Sequence, residues 1–172
     1  GSGKTECFLF PVLDHCLRMS KEGRPGIKAI VLYPMNALAF DQARRIAEVV
    51  ASYNELSGNV TAGILVGEDR DEADKRVSQK GMSFIGIIDD RKTILKNPPD
   101  ILLTNYKMLD LLLMKPEFKS LWLNPDGGES LLKYLVLDEM HTYDGAQGSD
   151  VSLLIRRLKA KINLQPDTLC CV

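Results

Sequence analysis

The chain alternates short, β-branched apolar runs with longer segments of helical periodicity, and this alternation limits its possible folds more than any other feature. Residues 27–33 (Ile-Lys-Ala-Ile-Val-Leu-Tyr) lie between Pro25-Gly26 and Pro34 and read as a strand. Residues 60–66 lie between Gly58 and Gly67, residues 100–104 follow Pro98-Pro99, and residues 134–138 follow a polar, Gly-rich loop. Residues 168–172 supply a fifth run. The runs are apolar on both faces, as parallel strands covered by helices must be. Between them, residues 4–19 carry Cys7, Phe8, Pro11, Val12, Cys16 and Met19 at mixed spacing, and Pro11 predicts a kink or an early stop. Residues 36–52 open on an expected Asn36 cap and repeat Leu38, Ala39, Ala43, Ile46, Ala47 and Val50. Residues 105–114 and 148–162 complete the helical set, the latter with Val151, Leu154, Ile155 and Leu158 on one face. The pattern predicts an α/β domain with a mainly parallel sheet and right-handed crossovers. Residues 67–99 are polar and charged, and a short helix near 71–80 followed by a mobile connection is expected there.

A chain of 172 residues has room for one domain with a real core. Lys+Arg 22 against Asp+Glu 23 gives a formal net charge of -1, which excludes a protein that coats nucleic acid by bulk charge but leaves local basic patches open. No run approaches the ~18 apolar residues of a membrane span, and the Gly-rich, charged start is unlike a signal peptide. Cys7, Cys16, Cys170 and Cys171 form no Cys-x-x-Cys pair, so a zinc site is not supported; buried thiols in a reducing, cytoplasmic compartment are expected.

Two motifs carry chemistry. Gly1-Ser2-Gly3-Lys4-Thr5 is the second half of the phosphate-binding pattern G-x-x-x-x-G-K-[ST]. Glycines let backbone N–H groups turn around a β-phosphate, and the following helix start adds its positive end. Lys4 would bridge the β- and γ-phosphates, the Thr5 hydroxyl would reach Mg²⁺, and Glu6 follows directly. Alone, the fragment reads equally well as a flexible N-terminus. The second motif, residues 134–141 (Tyr-Leu-Val-Leu-Asp-Glu-Met-His), is an apolar strand ending in two carboxylates. Asp138 would hold Mg²⁺ through its water shell, and Glu139 would orient and deprotonate an attacking water. Either motif alone is weak, but in one α/β pattern each supplies what the other requires.

Asp138-Glu139-Met140-His141 resembles the D-E-x-H box of superfamily 2 helicases of the DEAD/DEAH-box group. Residues 33–39 (Tyr-Pro-Met-Asn-Ala-Leu-Ala), with Gln42, resemble motif Ia. Val66-Gly67-Glu68-Asp69, with Arg70 and Arg76, resembles the G-D element after the third strand, and residues 99–105 (Pro-Asp-Ile-Leu-Leu-Thr-Asn) resemble motif Ib. The branch most similar is the YprA-like DNA helicases, through residues 103–109 and through residues 138–145 on to Gly148-Ser149 and Arg156-Arg157-Leu158. Met140 stands where the family usually has alanine, and Tyr106 where this branch often has proline.

The resemblance implies a RecA-like P-loop NTPase three-layer sandwich. Residues 1–172 would form a single ATP-binding domain lacking the start of the phosphate loop and everything from motif III onward. It implies ATP and Mg²⁺ as cofactors, and a second RecA-like domain of the same protein that supplies arginines to the site, so that this piece alone would hydrolyse ATP negligibly. His141 would relay nucleotide state toward motif III. Nucleic acid, DNA rather than RNA, would contact loops through Pro34, Met35, Asn36, Thr104 and Asn105, groups that reach phosphates without reading bases. A nucleoid-associated location would follow in a bacterium. Lys115 and Lys119, and the cluster Arg156, Arg157, Lys159 and Lys161, read first as solvated faces. No stripe of aromatics for base stacking is evident. Two alternatives stay open: a P-loop kinase or GTPase-like switch, and a non-catalytic nucleic-acid-binding module. Against the first stand the absence of an arginine-rich lid and of Asn-Lys-x-Asp; against the second stand intact Lys4, Thr5, Asp138 and Glu139.

Overall fold

The computed structural model describes residues 4–67, 87–122, 130–143, 145–165 and 168–172. Gly1, Ser2, Gly3, the Lys4 side chain, Glu68, Asp69, Arg70, Arg76 and the helix expected near 71–80 lie outside the described residues.

In chain order the elements are α1 (Lys4–Lys21), β1 (Ala29–Tyr33), α2 (Asn36–Ser52), β2 (Ala62–Leu65), β3 (Ile87–Ile88), α3 (Arg91–Lys96), β4 (Ile101–Asn105) and α4 (Tyr106–Met114). A 3₁₀ segment (Pro116–Trp122), β5 (Tyr134–Leu137), a 3₁₀ turn (Met140–Thr142), α5 (Ala146–Lys161) and β6 (Cys170–Cys171) follow. Among the described residues six strands form one sheet in the order β3-β2-β4-β1-β5-β6, and each of their pairings is parallel.

Strand alternation divides the core. Ala29, Val31 and Tyr33 of β1 point into a cluster with Leu9, Val12, Leu13 and Cys16 of α1 and with Ala39, Phe40, Ala43 and Ile46 of α2. Ile30 and Leu32 point the other way, onto Leu109 and Leu112 of α4, Phe118 and Leu121, and Leu154 and Leu158 of α5. Both sheet faces are therefore dry, which is the three-layer sandwich expected from runs apolar on both sides.

A buried ion pair fastens the amino end of this sheet. Lys28, 1% exposed, pairs through Nζ with Asp100 Oδ1. Asp100 Oδ2 accepts from Thr61 N at 2.7 Å and from Thr61 Oγ1 at 2.8 Å. Lys28 N and Ala29 N both donate to the Asp100 carbonyl, and Lys133 N donates to the Lys28 carbonyl. The starts of β1, β2, β4 and β5 thus share one network. Desolvating two charges costs several kcal/mol per ion, and only a fully bonded pair offsets this; both Asp100 oxygens are bonded.

The structure corrects several expectations. Helix α1 passes through Pro11 without stopping, and Pro11 lies on its exposed side. Its buried face is set by Leu9, Val12, Leu13 and Cys16, not by Cys7 or Met19. Asn36 does not cap α2: Met35 occupies the cap position with no side-chain bond, and Asn36 is the first helical residue. Of the four thiols only Cys16 is buried, and burial pushes its pKa up to about 12; Cys170 and Cys171 are exposed on the edge strand β6. Within 87–99, β3 and α3 were not anticipated, although Asp90 accepts from Thr93 N at 2.8 Å as a legible helix cap.

Asp100→Asn leaves Lys28 charged and buried without its counter-ion, and is expected to lower the unfolding free energy by about 3 kcal/mol in urea titrations. An unchanged urea midpoint would show that the pair adds nothing to stability. The second prediction concerns His15, whose ring meets Tyr134 edge-on at 5.6 Å. Burial, then the charges of Lys133, Arg18 and Lys28, lower its pKa below 6.5. The unfolded chain therefore takes up this proton first as pH falls, so stability declines below pH 6.5 toward the lower folded value. His15→Phe is expected to flatten that decline; parallel losses in both proteins between about pH 7 and about pH 5 would remove His15 as its source.

Candidate functional site

Parallel register brings the sequence motifs to one edge. Tyr33 closes β1 opposite Asn105 of β4. On its other side Leu32 pairs with Leu137, and Asp138 N donates to the Leu32 carbonyl at 3.1 Å. Asp138 and Asn105 therefore flank Tyr33, each about one strand spacing (~4.8 Å) away.

On the carboxylate side, Asp138 is half-buried and its Oδ1 accepts from the Glu139 N–H at 2.9 Å. Glu139 adopts φ 53, a left-handed conformation that strains a non-glycine residue. The Glu139 carbonyl accepts from Thr142 N at 2.9 Å and from Thr142 Oγ1 at 2.8 Å, which holds the tight turn after the strand. Glu139 Oε2 lies 3.3 Å from His141 Nε2, and the His141 side chain is 76% exposed. The opening turn of α1 shares this edge: Glu6, next to Thr5, pairs with Arg45 of α2. Burial raises the pKa of Tyr33, Asp138 raises it further, and Arg45 opposes this. Tyr33 is fully buried, and its hydroxyl has no hydrogen-bond partner among the described residues; the same holds for Glu6 Oε2.

On the amide side lies a cleft of about 460 Å³ lined by residues that include Pro34, Asn36, Gly67, Asn105, Tyr106 and Tyr143. Asn105 works twice. Its Oδ1 accepts from Met108 N at 2.7 Å, capping α4, and its Nδ2 donates to Asn36 Oδ1 at 2.7 Å. The residue expected to cap α2 is thus engaged across the sheet by the cap of another helix. Met35 stands 61% exposed beside the cleft residues Pro34 and Asn36.

Thr104 does not join them. It is fully buried, and its hydroxyl donates to the Leu65 carbonyl at 2.5 Å. One residue before the strand's end, alternation turns it into the core, so the contact expected of it is withdrawn. Lys115, Lys119, Arg156, Lys159 and Lys161 are exposed as solvated faces, while Arg157 reaches Asp110 of α4 at 2.5 Å. Sequence reasoning missed Tyr33, Arg45, Tyr106 and Tyr143 as members of the edge. Tyr33, Tyr106 and Tyr143 stood within or beside the stretches that resemble family motifs and so had a positional signal; Arg45 had none.

The two chemistries on one parallel-sheet edge define a nucleotide-handling domain of the helicase type. The DEAD/DEAH box helicase family model matches residues 1–171, and the chain belongs to that family. It is 30% identical to the protein named as an uncharacterized ATP-dependent helicase YprA of Bacillus subtilis (strain 168), over 92% of this chain and 17% of that protein. It is 28% identical to Druantia protein DruE of Escherichia coli (strain UMEA 4076-1), over 100% of this chain and 14% of that one. Among solved structures, the DUF1998 helicase MrfA bound to DNA and AMPPNP superposes with a TM-score of 0.64 at 29% identity, covering 99% of this chain and 20% of that one. The chain thus spans less than a fifth of the curated relatives it matches. Family membership sets aside the kinase and GTPase readings. No helix among the described residues is long and apolar enough to cross a membrane.

Proposed function

We propose that this chain is the ATP-binding and hydrolysing motor domain of an ATP-dependent helicase or translocase acting on nucleic acid, DNA rather than RNA. The observation that carries the reading is the single edge on which the Asp138–Glu139 pair and the Asn36–Asn105 cleft flank Tyr33. A motor must link hydrolysis to a grip on its track, and here one strand end separates the two.

Gly1, Ser2, Gly3 and Lys4 would cradle the ATP phosphates, with Glu6 held by Arg45 to orient the start of α1. Thr5 and Asp138 offer a hydroxyl and a carboxylate, the hard oxygens that suit Mg²⁺. No group of three or more His, Cys, Asp or Glu among the described residues makes a closed cage. The donor set therefore fits a partly hydrated ion that arrives with the phosphates, and when bound it would neutralise their charge. Glu139, nearly half exposed at the strand end, is suited to accept a proton from water. His141, against Glu139, is suited to bias that carboxylate and pass its state onward.

On the other side, Pro34, Met35, Asn36 and Asn105 would meet the sugar-phosphate backbone, with amide groups that do not read sequence. The DNA preference is supported by the likeness to MrfA, which was solved bound to DNA, and a cytoplasmic, nucleoid-associated location goes with it. Residues 1–172 would act as one domain whose site is completed by a second RecA-like domain of the same protein. In the full-length protein, Glu139→Gln is expected to retain ATP binding while hydrolysis falls by at least ~100-fold, the scale of a positioned general base. Turnover within a few-fold of wild type would remove Glu139 from that role.

A further inference from the structure

Tyr143 belongs to neither motif side, yet it touches both. It follows the 3₁₀ turn that leaves Glu139, and it lines the cleft that holds Asn36 and Asn105. Its ring packs edge-on against Tyr106, the first residue of α4, with centroids 6.1 Å apart. The residue is only 8% exposed, and its hydroxyl oxygen is buried with no hydrogen-bond partner among the described residues. Burial, then Tyr106 and Asp138, push its pKa up to about 12, so the hydroxyl stays protonated and remains a donor at neutral pH. The backbone is held from behind: a Cβ on Gly148 would lie 2.8 Å from the Tyr143 carbonyl, so only glycine lets the start of α5 press so closely there.

A buried donor with no acceptor is costly, and an acceptor supplied by a ligand removes that cost. The other donors lining the cleft are the amides of Asn36 and Asn105 and the ammonium of Lys107, a set to which an anion is the complementary ligand. We propose that the Tyr143 hydroxyl donates a hydrogen bond to a phosphodiester oxygen of the nucleic acid lodged beside Asn36 and Asn105. This rests on the nucleic-acid reading above and deepens it. The grip would then be made by the same short segment that carries Glu139, four residues from the proposed base, so a phosphate in the cleft would bear directly on the turn that holds the carboxylates.

The test is a double-mutant cycle on the full-length protein. Single-stranded oligodeoxynucleotides carrying one methylphosphonate linkage, scanned along the strand, are titrated against wild type and Tyr143→Phe by fluorescence anisotropy. Wild type is expected to lose about tenfold in affinity at one linkage, the scale of a hydrogen bond to a charged group. Tyr143→Phe is expected to bind the unmodified strand about tenfold more weakly and to lose nothing further at that linkage. Equal binding by both proteins, or losses that simply add, would overturn the assignment of Tyr143 while leaving the nucleic-acid reading intact. Failure of wild type to bind any of the strands would overturn both. Should Tyr143→Phe not fold, 3-fluorotyrosine in the unmutated protein gives the second reading. A fluorine resonance that moves with unmodified strand, but not with strand neutralised at the critical linkage, supports the contact; one that never moves overturns it.

Discussion

The double pairing of β1 is the constraint on which everything else depends. A central parallel strand must bond its backbone on both sides, and β1 does so with β4 from Ala29 to Tyr33 and with β5 from Ala29 to Leu32. Side-chain period is two, so a slip of one residue on either side would exchange the faces of the whole strand. Both faces of β1 are packed against different helices, and such a slip would put Tyr33 among the residues of α4 and α5. The register is therefore enforced by two cores at once. Because it is enforced, Asp138 and Asn105 have fixed positions relative to one another before any ligand arrives.

The two ends of the sheet solve opposite problems. At the amino end, Lys28, Asp100 and Thr61 satisfy one another, and the strand starts are locked by bonds to the Asp100 and Lys28 carbonyls. That end is built to stay as it is. At the carboxyl end, Glu139 sits in a strained conformation and the turn around it is held by Thr142. Strain of that kind costs of order 1–3 kcal/mol and survives only where surrounding structure holds it. The rigid end supplies this support across a sheet only four or five residues deep in β1, β4 and β5.

The fold and the motif positions were largely readable because they rest on local regularities. Doubly apolar runs announced buried parallel strands, and the carboxylates at 138 and 139 fell where a strand must end. What escaped was decided by tertiary contact. Asn36 looks like a cap from its neighbours, but Asn105, distant in sequence and adjacent across the sheet, takes its Oδ1. Thr104 and Asn105 are consecutive, and only the pleat reveals that one faces the core and the other the cleft. Cys170 and Cys171 read as buried because their run is apolar, whereas among the described residues β6 is paired on one side only, with β5. Two-residue β3 is too short to show any period at all.

Unbonded polar atoms gather at the carboxyl edge, although the amino end is not free of them. Buried side-chain atoms lacking partners among the described residues include Glu6 Oε2 and the hydroxyls of Tyr33 and Tyr143 at the carboxyl edge, and His15 Nε2 beside Tyr134 at the amino end. Each such atom costs about 1–3 kcal/mol in a protein that leaves it unmet. Simple packing gives no reason to retain them, since phenylalanine would fill the same volume as either tyrosine without that cost. Glu6 and Tyr33 stand beside the carboxylates, and Tyr143 stands in the cleft. The edge therefore carries unmet polar groups on both sides of β1, in the places where phosphates and water would satisfy them. The carboxyl edge leaves these three atoms to be met from outside the described residues, whereas at the amino end Asp100 bonds both of its carboxylate oxygens.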